Sequence, residues 1–111
     1  MKVRELIEKA DLKVFSAEKG LDNDISGGYT SDLLSDVMGN AEAGNVWITL
    51  QTHKNIIAIA SLKELAAIVL VKGYEPNEDT LIQSREENIA ILGTNAEAFE
   101  ISAIIYNLIM S

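Results

Sequence analysis

Hydrophobic positions along this chain switch between two rhythms, one of about 3.6 residues and one of 2. Val3, Leu6, Ile7 and Ala10 recur at helical spacing, and Glu5 and Lys9 form an i,i+4 pair on the other side, so a short helix is expected over 2–10. Leu12-Lys13-Val14-Phe15-Ser16 opens on the alternation of a half-buried strand. Residues 17–22, with Gly20 among them, read as a loop. Residues 24–31 read as strand or loop, interrupted by the adjacent Gly27 and Gly28. Leu33, Leu34, Val37 and Met38 then mark a short amphipathic helix, with Ser31 placed to cap it and Gly39 to end it; a loop containing Gly44 follows.

The centre of the pattern is residues 46–73. Val46-Trp47-Ile48-Thr49-Leu50 has the aromatic and β-branched content of a strand. The polar turn Gln51-Thr52-His53-Lys54-Asn55 leads into a largely buried helix over 55–65, with Thr52 as its expected cap. The continuous apolar run 66–71 is the signature of a parallel strand covered on both faces, and Lys72-Gly73-Tyr74-Glu75-Pro76 ends it.

Residues 77–88 form a surface helix with Glu78 and Asp79 in its first turn and Leu81 and Ile82 as its thin apolar face. Residues 89–93 are another buried strand. Thr94-Asn95-Ala96-Glu97 fits a capping box for a last helix over 96–110, which is apolar over much of its circumference through Phe99, Ile101, Ile104, Ile105, Leu108 and Ile109. A sheet covers one side of such a helix, and a second copy of the chain would suit the other.

Strands alternating with helices predict an α/β protein: three-layer, with a mostly parallel sheet of about five strands and helices on both faces. No internal repeat, low-complexity segment or linker is visible. At 111 residues without a break in composition, one domain is expected, large enough to bury a core without metals or crosslinks.

Composition then narrows the function. Hydrophobic residues at 48% argue against disorder. The absence of cysteine excludes disulfides, thiolate metal sites and thiol catalysis, and favours a reducing compartment. MKVRELIEKADLKVF scatters charge where a signal peptide needs an apolar stretch, and no apolar run reaches the roughly 20 residues that span a bilayer, so the expectation is a cytoplasmic protein with no membrane partner. Seventeen acidic against nine basic residues, net −8, repel phosphate backbones, which excludes a nucleic acid polymer as partner. The acidic surplus runs through both halves, as on a solvated surface; an acidic docking face is the sharper alternative.

Neither G-x-x-x-x-G-K-[ST] nor G-x-G-x-x-G occurs, nor G-x-S-x-G, nor H-E-x-x-H, so the common phosphate cradles, the nucleophile elbow and the zinc helix are missing, and a kinase label would find no support. No cofactor and no metal are expected. His53, the single histidine, sits with Gln51, Thr52 and Lys54 beyond a strand's carboxyl end, where open parallel sheets bind ligands; it would hold an anion or serve as a base, or else simply meet solvent at a helix start. Lys72 with Gly73, and Thr94 with Asn95, would line the same edge if their strands are neighbours. Gly27 and Gly28 would wall a shallow pocket there or only form a bulge or turn. Trp47 is read as core or subunit interface rather than a base-stacking platform.

Residues 25–38, ISGGYTSDLLSDVM, followed by VWITLQTHKNIIAIASLKELAAIVLVKGYEP, resemble a DRTGG domain, and more closely the small stand-alone DRTGG-like proteins labelled as relatives of HPr serine kinase/phosphorylase. The similarity runs from about Leu12 to Tyr106. It implies an α/β domain like the N-terminal domain of that kinase, used as an accessory module beside CBS domains, in some pyrophosphatases and in long phosphotransacetylases, to regulate or dimerise rather than to catalyse. The kinase's phosphate loop belongs to its other domain. Where many members carry Asp-Arg, this chain has Thr52 and His53, and where they carry Thr-Gly-Gly it has Val71, Lys72 and Gly73, so positive charge would come from His53 and Lys72 instead. The resemblance, together with the residues, leads to a non-catalytic regulatory or interaction module, a homodimer, with another protein or a small anionic ligand as a further partner. Two alternatives stand beside it: a nucleotide or anion sensor, and a small enzyme using His53.

Overall fold

The computed structural model describes residues 1–16 and 18–110; Ala17, part of the expected loop, lies outside them. The elements are α1 (Val3–Lys9), β1 (Lys13–Ser16), a 3-10 turn (Glu18–Asp22), β2 (Gly27–Thr30), α2 (Leu34–Asn40), β3 (Asn45–Thr49), α3 (Asn55–Leu62), β4 (Ala67–Leu70), α4 (Glu78–Glu87), β5 (Ile91–Gly93) and α5 (Ala98–Met110). Their types follow the hydrophobic rhythm, except that residues 18–22 coil into the 3-10 turn where a loop was expected.

Five strands form one sheet in the order β1-β5-β4-β3-β2. β2 to β5 run parallel, with Trp47 beside Tyr29 and Ile68, and β1 closes the far edge antiparallel to β5. Each step from β2 to β5 moves to the next neighbour, so right-handed crossovers set α2, α3 and α4 on one face and leave the other to α1 and α5. Alternation along the strands feeds both layers. Val46, Ile48, Ala67, Val69 and Leu92 meet Val3, Leu6, Ile101 and Ile105 on one side. Trp47, Ile68, Leu70 and Ile91 meet Val37, Ile56, Ile57 and Ala60 on the other. Trp47 is fully buried, a core residue whose indole N–H donates to the Ser31 carbonyl at 2.8 Å.

Several local expectations fail for identifiable reasons. α2 begins at Leu34, three residues after Ser31, whose hydroxyl accepts the Leu33 N–H in a local turn (3.2 Å); Gly39 lies inside the helix. α3 begins after Lys54 without a side-chain cap, and the Thr52 carbonyl, not its hydroxyl, is the engaged group. α4 buries Thr80 and Ser84 rather than Leu81 and Ile82, because the Ser84 hydroxyl pairs with Ser16 Oγ of β1 and that of Thr80 donates to Thr52. Ile82 is left 51% exposed. The hydroxyl of Thr94 accepts the Ala96 N–H at 3.1 Å, and α5 starts only at Ala98, so the capping box does not open it.

Helix ends show a pattern the glycines do not mark. Asp11, Glu64 and Asn88 each take a positive φ, 53°, 55° and 57°, just past α1, α3 and α4. After α3 the Leu65 N–H reaches the Ala60 carbonyl at 2.9 Å and the Glu64 N–H reaches Ser61 at 3.2 Å, the paired bonds of a Schellman ending. Asparagine and aspartate tolerate that conformation; a glutamate there carries strain. Gly44 (φ 84°) needs a glycine's freedom, since a Cβ on it would run into Ser26 while its N–H donates to Glu64.

Two substitutions should therefore move stability in opposite directions. Glu64→Gly is expected to gain up to about 1 kcal/mol and Gly44→Ala to lose about 1–3 kcal/mol. Urea denaturation of both variants checks the pair, and a destabilised Glu64→Gly would contradict the reading.

Candidate functional site

Because β2 to β5 are parallel, their carboxyl ends at Thr30, Thr49, Leu70 and Gly93 line one edge of the sheet. The chain leaving β3 crosses this edge held by a single carboxylate. Asp32 Oδ1 accepts the Thr49 hydroxyl at 2.8 Å and the Leu50 N–H at 2.9 Å, and the Gln51 amide returns a bond to the Asp32 carbonyl at 2.9 Å. Next along, the Thr52 carbonyl accepts the Thr80 hydroxyl at 2.8 Å and the Asn77 N–H at 3.2 Å. His53 is exposed, with the Asn77 amide nitrogen 3.3 Å from its Nδ1; the amide donates when that ring nitrogen carries no proton.

Beyond β4, Lys72 and Gly73 take successive positive φ values of 60° and 73°, and the Val71 carbonyl accepts the Tyr74 N–H at 3.1 Å, the pattern of a type I′ turn. The Lys72 N–H is tied to the Ala96 carbonyl and that of Gly73 to the Thr94 carbonyl, both at 2.9 Å. A lysine is thus pinned in a left-handed conformation that glycine would adopt without cost, with its ammonium group free to reach solvent.

Gln51, Thr52, His53, Lys72, Gly73 and Thr94 accordingly share the carboxyl edge. Gly27 and Gly28 do not. They open β2 beside Asn45 and Val46, at the amino end of the neighbouring strand. A cavity of about 250 Å³ runs along β2 beneath α5, lined by Gly27, Gly28, Thr30, Ile48, Tyr106 and Ile109 among others. Gly73 and Thr94 line a different cavity of about 240 Å³ with Lys13, Phe15 and Asn95. Asp32 is the edge residue that motif reading missed; its one signal was an acid following strand-like residues, which many turns share. Among the described residues no three His, Asp or Glu side chains gather as a metal ligand set would.

Charge is tuned where β2 meets α2. The Tyr29 phenol donates to Asp36 Oδ1 at 2.9 Å, and the Asn40 amide donates to the same oxygen at 3.0 Å. Hydrogen bonds from Ser31, Tyr29 and Asn40 hold the Asp36 carboxyl below its ordinary value of 3.8. The same bond to Asp36, with some burial and the carboxylate's charge, raises the Tyr29 phenol above 10.0.

The fold thus defines a three-layer α/β protein, four of whose strands end on a common polar edge. No family model matches the sequence, and no curated relative does. Among solved structures, the crystal structure of the CBS and DRTGG domains of the regulatory region of Clostridium perfringens pyrophosphatase, complexed with the activator diadenosine tetraphosphate, superposes with a TM-score of 0.74 at 12% identity over 95% of the present chain. The chain spans 46% of the length of that crystallised regulatory region. At this identity the likeness speaks for a DRTGG-like fold.

Two outcomes are expected at this edge. Asp32→Ala should lower stability by about 1 kcal/mol, since the carboxylate holds a hydroxyl and an N–H but is itself exposed, and thermal melting checks it. Asp36, with a depressed pKa, stabilises the fold above 3.8 and loses that contribution as pH falls through its folded value. Tyr29, with a raised pKa, contributes below 10.0 and loses it as pH climbs through its own folded value. The stability gap between wild type and Tyr29→Phe should therefore be flat between those limits and shrink outside them; a gap that stays unchanged as pH falls below 3.8 until the protein unfolds would refute the pairing.

Proposed function

We propose that this chain is a non-catalytic regulatory or interaction module, a single DRTGG-like domain over residues 1–111 that works in the cytoplasm as a homodimer. The observation that carries this reading is how the edge residues are used. The Asp32 carboxylate, the Thr49 and Thr80 hydroxyls and the Gln51 amide are spent holding backbone in place, while α5 keeps an apolar face open to a partner. The likeness to the regulatory region of an enzyme points the same way.

A second reading, a sensor for a nucleotide or another small anion, has its own support. Lys72 is kept in a strained turn beside Gly73 and Thr94, with His53, Gln51 and Thr52 along the same edge, and strain of this kind collects at ligand clamps. The pyrophosphatase region was crystallised with diadenosine tetraphosphate. Gly27 and Gly28 would belong to such a site only through the separate groove beside α5.

Light scattering over a dilution series tests the first reading: a dimer that dissociates on dilution supports it, and a monomer throughout overturns the homodimer. Thermal melting with AMP, ATP and diadenosine tetraphosphate tests the second. A sensor shows a raised melting temperature with one of them, and Lys72→Gly then removes that shift while stabilising the free protein by up to about 1 kcal/mol. A melting temperature unmoved by any of the three removes the adenine-nucleotide form of the sensor reading.

A further inference from the structure

We infer that the outward seam of α5, formed by Phe99, Ala103, Tyr106 and Met110, packs antiparallel against the same seam of a second copy across a two-fold axis. This rests on the homodimer reading and adds to it the face, the orientation and the residue pairing. Phe99, Tyr106 and Met110 are 89%, 64% and 66% exposed, on the side of the helix away from Ile101 and Ile105, which press onto the sheet. The four positions are spaced 4, 3 and 4 residues apart, the a/d spacing of a helix-pairing seam.

That spacing is symmetric about the midpoint between Ile104 and Ile105. Reversing one copy about it brings Phe99 opposite Met110 and Ala103 opposite Tyr106. A small side chain then faces a large one, and a flexible thioether faces an aromatic ring. Self-complementarity of this kind is what an isologous contact requires, and a partner of different sequence would have no reason to find it.

Charge selects the same occupant. From Ile101 to Met110 the helix carries no ionisable group other than the Tyr106 phenol, and Glu100 lies to the side of the seam. In a chain of net charge −8, this is where two copies meet without bringing like charges together, and a basic partner would find nothing to pair with. The three large side chains present on the order of 400 Å². A standard interface uses about 800 Å² per partner. The remainder is available next to the seam, where β2 ends the sheet with an unpaired edge and the groove between β2 and α5 is lined by Tyr106 and Met110 themselves.

The test introduces charge into the seam. Ala103→Glu buries a carboxylate against the partner's tyrosine and should weaken association on the order of a hundredfold, with the far-ultraviolet circular dichroism of the folded protein retained. Leu62→Glu, at a position 69% exposed at the end of α3 on the opposite layer, should leave the dimer intact. Since the chain lacks cysteine, single-cysteine variants report the pairing directly. An oxidised mixture of Ala103→Cys and Tyr106→Cys should crosslink as the mixed pair in preference to either variant alone or to Leu62→Cys. An Ala103→Glu protein that stays dimeric overturns the seam while leaving the homodimer standing. Self-crosslinking of Ala103→Cys as efficient as the mixed pair overturns the antiparallel arrangement. A wild-type protein that is monomeric at every dilution overturns both.

Discussion

Everything in this fold follows from strands that bury side chains on both of their faces. β3, β4 and β5 leave no residue exposed, so the sheet cannot face water on either side and must be roofed twice. Three crossover helices that step in one direction can cover only one face. The other is left to α1 and α5, the two helices that are not crossovers within the parallel series. The last helix therefore carries a double duty: one side completes the core through Ile101 and Ile105, and the opposite side remains apolar and uncovered.

The same parallel arrangement makes the polar edge. Four strands ending together force four turns into one rim, and each must find partners for the backbone groups it strands there. The Asp32 carboxylate takes the Leu50 N–H together with the Thr49 hydroxyl, Thr80 and Asn77 satisfy the Thr52 carbonyl, and the Lys72-Gly73 turn is tied to the segment leaving β5. The rim is consequently well braced, and most of its polarity is structural. Lys72 and His53 differ from their neighbours because their side chains stay free of that bracing, apart from one amide near the His53 ring.

Much of the architecture was legible in the residues. The uninterrupted run 66–71 announced a strand covered on both sides, and alternation with helical segments announced the parallel sheet, because burial of both faces leaves no polar positions to alternate. The polar turn 51–55 also falls where expected, beyond the end of β3. Local rules did less well at helix ends. Thr52, Ser31 and Thr94 each had the composition of a cap, yet the Ser31 and Thr94 hydroxyls accept N–H groups of local turns ahead of their helices and Thr52 is engaged through its carbonyl, since a hydroxyl next to several free N–H groups is satisfied by whichever the chain path brings near. The buried face of α4 was misread for a similar reason: Ser84 and Ser16 satisfy each other in the interior, which a hydrophobicity pattern cannot foresee.

What the sequence by itself determined is the kind of element at each position and the layering, because those depend on the spacing of apolar residues along the chain. Which ends of the strands lie together was decided only by the tertiary structure. Gly27 and Gly28 read as neighbours of His53 and Lys72 until the parallel register placed them at the opposite end of β2. Proximity across a sheet depends on strand direction and order, and neither is written in local spacing.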